Sequence, residues 1–366
     1  MGGHMLFVKS AELKTGMRLA KPIYDRNGVL LYERNTKLTL SGIESVKNFG
    51  LIGLYILEPA EPVPPMTDSD IEFEKFQTMG VFSIKEDMNF IIRGRTHKGL
   101  ATLVNTIVKN YGRTEKRVNF MQNIRSSEDY VYKHSVNMGI LVALISNQLN
   151  LSYMEQSDVI IAGLLHDIGK ISLPYEIKVK YGEYTEEDQQ VVAKYVKDGI
   201  NMVRADLSIS QGVKQIITQY QNIVLGESEI DPDRLYIGTK IMVVADAFDS
   251  MTAMRLNVEP MSTLAAIKKL LGDDDYDQEI VEALVASVDI LYPGVCIELS
   301  NQEKALVITA NERNVLRPVV LTFGTNEVYD LSDKKVYQKI KISDIMRTMD
   351  NRIKVDQERL REYMIK

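Results

Sequence analysis

The chain has 366 residues, with 44 Lys plus Arg against 50 Asp plus Glu, four histidines and a single cysteine. Its 45% hydrophobic content can fill a sizeable core over two or three domains, and a net charge of -6 without long basic runs excludes a dedicated binder of nucleic-acid polymers. No run approaches the roughly 18 apolar residues of a membrane span, no signal-peptide order opens the chain, and lone Cys296 excludes a disulfide framework, so a reducing cytoplasm is the simplest location.

Met1 to His4 read as an expression scar. Residues 5–57 then form a small, strand-rich module. Met17–Tyr24 and Val29–Tyr32 flank Asp25-Arg26-Asn27-Gly28, and Asn-Gly between two apolar runs is a strong hairpin signal. Leu40–Asn48 reads as a short helix with Ser41 as its cap, and Ile52–Leu57 as a closing strand. Residues 58–67 form a stiff linker, with four of the chain's ten prolines between Glu58 and Pro65. From 68 to 291 the spacing turns helical, with Val136, Ile140, Ala143 and Leu144 on one stripe and Val159, Ile160, Gly163 and Leu164 on another. Residues 292–342 switch to short strands, and 343–366 read as a charged helix whose weak apolar face is Ile345, Met346, Met349 and Ile353. The fold expected is mainly α: an all-helical core domain carrying a small β-rich N-terminal module and a short β appendage.

The chemistry concentrates in Leu164-Leu165-His166-Asp167-Ile168-Gly169-Lys170, at the end of a helix expected to begin near Glu155. Neighbours on a helix diverge by roughly 100 degrees, so His166 and Asp167 reach one ion only if it sits against the helix flank between them. Lys170, three residues beyond Asp167 and four beyond His166, falls beside both. His134 shares a helix face with apolar positions 138, 141 and 145, so its ring should point inward. Asp246 stands in an otherwise apolar helix, where an isolated carboxylate is costly to bury. A divalent cation answers all of these observations, and a mixed imidazole and carboxylate set suits iron, manganese, cobalt, nickel or zinc better than calcium. Plainer roles remain beside each residue: a hydrogen-bonded core position for His134, a pairing with Lys240 or Arg255 for Asp246, a counter-charge to Asp167 for Lys170, and support or plain structure for Asp249. His97 reads as solvated, and Asp273 to Asp275 as an exposed turn.

The order His134, His166-Asp167, Asp246 resembles the HD superfamily of metal-dependent phosphohydrolases and, within it, the HD-GYP branch, whose members hydrolyse cyclic di-GMP at a site of two or three metals. The resemblance spans about residues 120–345, including Leu291-Tyr292-Pro293-Gly294 and Leu316-Arg317-Pro318-Val319, and residues 8–57 look like a module often found ahead of this domain. It implies an HD-type core, with His134, His166, Asp167 and Asp246 as first-metal ligands and Asp167 as the bridge to a second metal. Lys170 matches a lysine that faces the substrate phosphate and Arg255 a phosphate-contacting arginine. The chain also departs from the pattern. Tyr195 stands at the histidine of an HPxxG motif, Tyr220 and Gln221 replace paired histidines, and Ile223 to Arg234 lacks Gly-Tyr-Pro. Asn257 and Glu259 stand where tyrosine and lysine are expected. With His4 in the scar and His97 outside the motifs, two histidines remain, enough for one metal and not for two.

The expected function is therefore a divergent HD-GYP-like phosphohydrolase of the cyclic di-GMP phosphodiesterase type, with one divalent transition metal, Asp167 and Lys170 catalytic, and Lys170 and Arg255 binding substrate. The rival is an inactive receptor for cyclic di-GMP or a protein-interaction module on the same fold. Expected partners are a cyclic dinucleotide or another phosphoester, a signalling protein, and a second copy through the C-terminal helix, but neither a nucleic-acid polymer nor a membrane.

Overall fold

A computed structural model describes residues 5–24, 30–48, 53–57, 68–95, 97, 99–122, 125, 129–180, 184–226, 234–253 and 260–346. The N-terminal module contains β1 (Met5–Lys9), β2 (Arg18–Leu19), β3 (Ile23–Tyr24), β4 (Leu30–Tyr32), α1 (Leu40–Asn48) and β5 (Gly53–Leu57). Strand β5 lies between β1 and β2, antiparallel to both, with Val8 opposite Leu54. As the hairpin signal implies, β3 pairs antiparallel with β4; the Asn-Gly turn lies outside the described residues. Helix α1 places Ile43 and Val46, one turn apart, against Leu19, Leu54 and Ile56. Its cap is Thr39, whose hydroxyl accepts from the Gly42 N–H at 3.1 Å, and Ser41 lies inside the helix. The expected cap was two residues too late, because both hydroxyls precede the apolar positions.

The body comprises α2 (Asp68–Ile92), α3 (Leu100–Asn110), α4 (Tyr130–Gln148), α5 (Tyr153–Leu165), α6 (Tyr175–Lys178), α7 (Glu186–Ala205), α8 (Gln211–Val224), α9 (Ile237–Thr252), α10 (Thr263–Leu271) and α11 (Gln278–Ser287). Helix α4 is apolar around most of its circumference, with Val136 and Met138 through Ile145 buried, so it must lie at the centre of the bundle. It packs against α2, α5, α9 and α11. Gly139 and Gly163 bring α4 and α5 close: a Cβ on Gly139 would lie 3.0 Å from Leu164. Helices α5 and α7 both open with capping boxes, Ser152 with Glu155 and Thr185 with Asp188. No helix among the described residues is long and apolar enough to cross a membrane.

The appendage adds β6 (Cys296–Leu299), β7 (Lys304–Thr309), β8 (Val319–Thr322), β9 (Val328–Asp330), α12 (Lys334–Lys339) and β10 (Ile342–Ile345) in an antiparallel sheet ordered β10-β6-β7-β8-β9. Its two-residue period is strict. Ile297, Leu299, Ala305, Val307 and Val320 join the main core, while Cys296, Leu306, Ile308 and Leu321 form a second cluster on the other face. Strand β10 corrects the helix expected from Ser343 onward. Ile342 packs on the main core and Met346 on the second cluster, and pairing with β6 claims the backbone between them. Residues 347–366 lie outside the described residues, and the expected self-pairing of a C-terminal helix lies there with them.

Candidate metal centre

Three helices converge on the site: α4 brings His134, α5 ends beneath His166, and α9 brings Asp246 and Asp249. The His166 N–H still donates to the Ala162 carbonyl at 2.9 Å, and then the chain tightens into a 3-10 turn over Ile168–Ser172. The sequence pattern puts this segment at the end of the helix, with Lys170 beside both His166 and Asp167 at helical spacing. Packing against α7 explains the difference, since Gly169 lies against that helix: a Cβ on Gly169 would fall 1.9 Å from the Tyr195 carbonyl oxygen, and one on Gly199 would fall 2.5 Å from the Gly169 nitrogen. The turn leaves the Lys170 ammonium 2.8 Å from Asp167 Oδ2, so among the contacts described its partner is the carboxylate and not an imidazole.

His134 and His166 face each other through Nε2 atoms 3.1 Å apart. Their other nitrogens fix the tautomers. His166 Nδ1 lies 2.8 Å from the Gly163 carbonyl, which only accepts, so Nδ1 donates and carries the proton. His134 Nδ1 lies 2.7 Å from Asp249 Oδ2 and donates to that carboxylate. In the neutral rings both Nε2 atoms then present lone pairs to one point. Asp167 Oδ2 lies 3.7 Å from each of them, and Asp246 Oδ1 lies 3.3 Å from His134 Nε2. Donor atoms of His134, His166 and Asp167 all fall within 4.8 Å of one another. Lone pairs and carboxylates gathered this closely repel unless a cation lies among them, and the nitrogen and oxygen mixture fits a divalent transition metal. Burial holds the His166 pKa below its ordinary value despite the opposing pull of Asp167, which keeps this ring a lone-pair donor. Burial would raise the Asp167 pKa, but Lys170 and the two imidazoles outweigh it and hold the carboxyl well below the usual range.

Behind His134 lies a polar network centred on two fully buried charges. Asp249 and Arg125 are both 0% exposed, and Arg125 Nη2 stands 2.7 and 2.8 Å from the two carboxylate oxygens. Asn137 Nδ2 and Gln122 Nε2 donate to Asp249 Oδ1 at 2.9 and 3.0 Å. Although burial opposes its charge, Asp249 is held far below the usual carboxylate range by Arg125 and the His134 hydrogen bond. It therefore locks the ring that faces the metal position. This corrects the sequence expectation for Asp246, whose side chain is 27% exposed; Asp249 is the deeply buried carboxylate of α9. The signal for Asp249 was its spacing, one turn beyond Asp246, and Asn137 stands one turn beyond His134. Arg125 and Gln122 carried no pattern at all.

The remaining residues distribute as follows. Tyr220 is buried, with its ring edge-on to His166 at 5.3 Å, and buried Gln221 donates through Nε2 to the His166 carbonyl at 2.8 Å. Tyr195 meets the turn through its backbone, while Lys194 lies over its ring at 5.9 Å. Arg255, Asn257 and Glu259 lie outside the described residues, as does most of the 223–234 loop. Lys240 pairs with Asp277 at 2.9 Å, which removes it as the partner of Asp246. His97 is not solvated: its side chain is 13% exposed, 3.0 Å from Ser208 Oγ and 3.5 Å from Asp206.

The family model of the HD domain matches residues 119–280, the segment that carries His134, His166, Asp167, Asp246 and Asp249. Similar proteins include a cyclic di-GMP phosphodiesterase of Pseudomonas aeruginosa, 24% identical over 55% of this chain and 49% of that one. Another, from Thermotoga maritima, is 27% identical over 46% of this chain and 47% of its own. Residues 119–280 thus carry an HD domain, and these similarities support the HD-GYP resemblance. A 3'3'-cGAMP-specific phosphodiesterase of Vibrio cholerae is 22% identical over 51% of this chain and 40% of that one. The chain spans about half the length of the curated relatives it matches. A solved HDG"Y"P protein from Bdellovibrio bacteriovorus is 15% identical, with a TM-score of 0.43 over 76% of this chain and 98% of that one.

Proposed function

We propose that the chain is a metal-dependent phosphodiesterase acting on a cyclic dinucleotide of the cyclic di-GMP type, in the cytoplasm, through one divalent ion held by His134, His166, Asp167 and Asp246. The observation that carries this reading is the pair of fixed tautomers, which aims two lone pairs and a carboxylate at one point. A divalent ion bound there supplies Lewis acidity toward a phosphoryl oxygen and makes water acidic enough to attack at neutral pH. The chain's own residues do the rest. Asp249 and the Gly163 carbonyl hold the two rings in the ligating tautomer. Lys170, with its side chain 34% exposed, keeps its ammonium charged: burial opposes the charge, but Asp167 outweighs it. An ammonium so placed can hold a phosphate oxygen beside Asp167, and Arg255 is the second phosphate contact implied by the family motif.

A second reading is favoured by Tyr220 and Gln221. Both are built into the support of His166 at the positions where the family pattern has ligating histidines. A site reduced to one metal turns over slowly, or serves as a receptor that binds the dinucleotide without cleaving it. Incubation with cyclic di-GMP and manganese or iron, with products separated by chromatography, distinguishes them. Turnover that needs the ion and is lost in His166→Ala supports the enzyme. Calorimetric binding without product supports the receptor, and neither binding nor turnover removes both.

A further inference from the structure

We infer that the N-terminal module is a part of the metal centre, with Lys21 as a positioning residue that acts on His134 through Gln122 and Asp249; its bearing on metal affinity rests on the function proposed above. Lys21, between β2 and β3, is 6% exposed. Its ammonium donates to the Gln122 carbonyl at 2.9 Å, stands 3.3 Å from Glu74 on α2 and lies 5.2 Å from the Tyr55 ring on β5. Burying an ion pair is costly, and apolar side chains of similar volume fasten two surfaces as well or better. What the ammonium adds is a directional hold on one carbonyl.

That carbonyl belongs to the residue whose side chain organises the support of His134. Gln122 Nε2 donates to Asp249 Oδ1 at 3.0 Å and to Thr252 Oγ1 at 2.8 Å. Its Oε1 accepts from Arg125 and from Asn137, each at 2.9 Å. Both ends of the amide are thus spent on groups that surround Asp249. Gln122 lies between α3 and α4, outside any helix or strand, so no backbone ladder fixes it. Its neighbour Met121 is held from within the body, where Gln77 Nε2 donates to the Met121 carbonyl at 3.0 Å. Lys21 supplies the matching hold from the module. When Gln122 shifts, Asp249 loses a donor, and its 2.7 Å bond to His134 Nδ1 is the contact that keeps the other nitrogen free to ligate.

The test uses the full chain with its histidines labelled with 15N, metal-free, in Lys21→Met and in Lys21→Met/Glu74→Gln; the double variant leaves no unpaired buried carboxylate behind. With only four histidines, the imidazole signals can be assigned one by one. In wild type the His134 proton is expected on Nδ1. In the double variant the Nε2-protonated fraction should rise, and the Kd for manganese or zinc should rise about 10- to 100-fold, the usual cost of removing an outer-shell partner. Gln122→Leu, breaking the same chain further along, should do likewise. Lys268→Met removes another ammonium that holds carbonyls, those of Ile342 and Ser343, and should change neither readout. An unchanged His134 tautomer in a folded double variant overturns the inference, as does an equal shift in Lys268→Met. If Lys21→Met does not fold, the double variant and Gln122→Leu carry the test. Wild type that takes up no ion overturns the proposed function instead, and the tautomer comparison alone then decides the role of Lys21.

Discussion

His134 is held at Nδ1 by Asp249 and leaves Nε2 open toward His166, and the difference gives Asp249→Asn two separable effects. The amide keeps the shape of the carboxylate but leaves Arg125, 0% exposed, without its charge partner; loss of one member of a buried pair costs about 3–5 kcal/mol. Denaturant unfolding of the metal-free protein should show that loss. The amide can also turn its NH2 toward Nδ1, which moves the ring proton to Nε2 and closes the lone pair to metal. Metal affinity should fall about 10- to 100-fold in protein that remains folded. The same groups set the response to acid. Burial lowers the folded pKa of His166 below the ordinary 6.5 of a histidine, so as pH falls the unfolded chain takes up that proton first and stability drops from about pH 6.5 downward. Asp167 and Asp249 are likewise lowered from 3.8, so their contribution is present above about pH 4 and is lost progressively below it. The urea midpoint of metal-free protein should therefore slope gently from pH 7 to 5 and steeply below 4. A profile flat down to pH 5 would contradict the buried, neutral His166.

Among the elements, those with local punctuation were readable in advance. Helix α1 was bounded correctly because its apolar spacing is regular, and α4 was legible as a helix from the stripe of Val136, Ile140, Ala143 and Leu144, although its burial around most of the circumference was not. Elements decided by a distant neighbour were not. Ile345 and Met346 fit a helical stripe with Met349 and Ile353, yet β6 recruits the start of that segment as a strand. The end of α5 shows the same limit, since nothing near His166 in sequence announces that α7 will press on Gly169. The candidate ligands were legible from their order along the chain, whereas Arg125 and Gln122 depend on a side-chain network that no spacing encodes. Gly169→Ala tests how tightly the turn is fixed. Its Cβ would sit 1.9 Å from the Tyr195 carbonyl oxygen, so α7 and the turn must separate. Overpacking of this kind costs about 1–3 kcal/mol or more, and the displaced Asp167 should weaken metal binding as well. Thermal unfolding can be compared with Gly324→Ala, where an added Cβ meets nothing within 4 Å and little change is expected.

At the scale of the whole molecule, the small number of histidines limits how many ions the chain can hold. Of its four histidines, His97 is engaged with Ser208 and Asp206, and His4 lies outside the described residues and outside the HD domain match. The two left meet at one point, and the only group of ligands found among the described residues is His134, His166 and Asp167. A second ion beside them would need donors from the α7 or α8 side. There the chain offers Tyr220, which packs its ring on His166, and Gln221, whose amide nitrogen is committed to the His166 carbonyl. Neither a phenol of ordinary pKa near 10 nor a neutral amide replaces an imidazole as a ligand at pH 7. Protein loaded with manganese, iron or zinc and then desalted should therefore carry about one ion per chain by elemental analysis, falling toward none in His166→Ala. A ratio near two in wild type would mean that carboxylates or the Tyr195 phenol complete a second site, and the single-ion reading of the reaction would have to be abandoned.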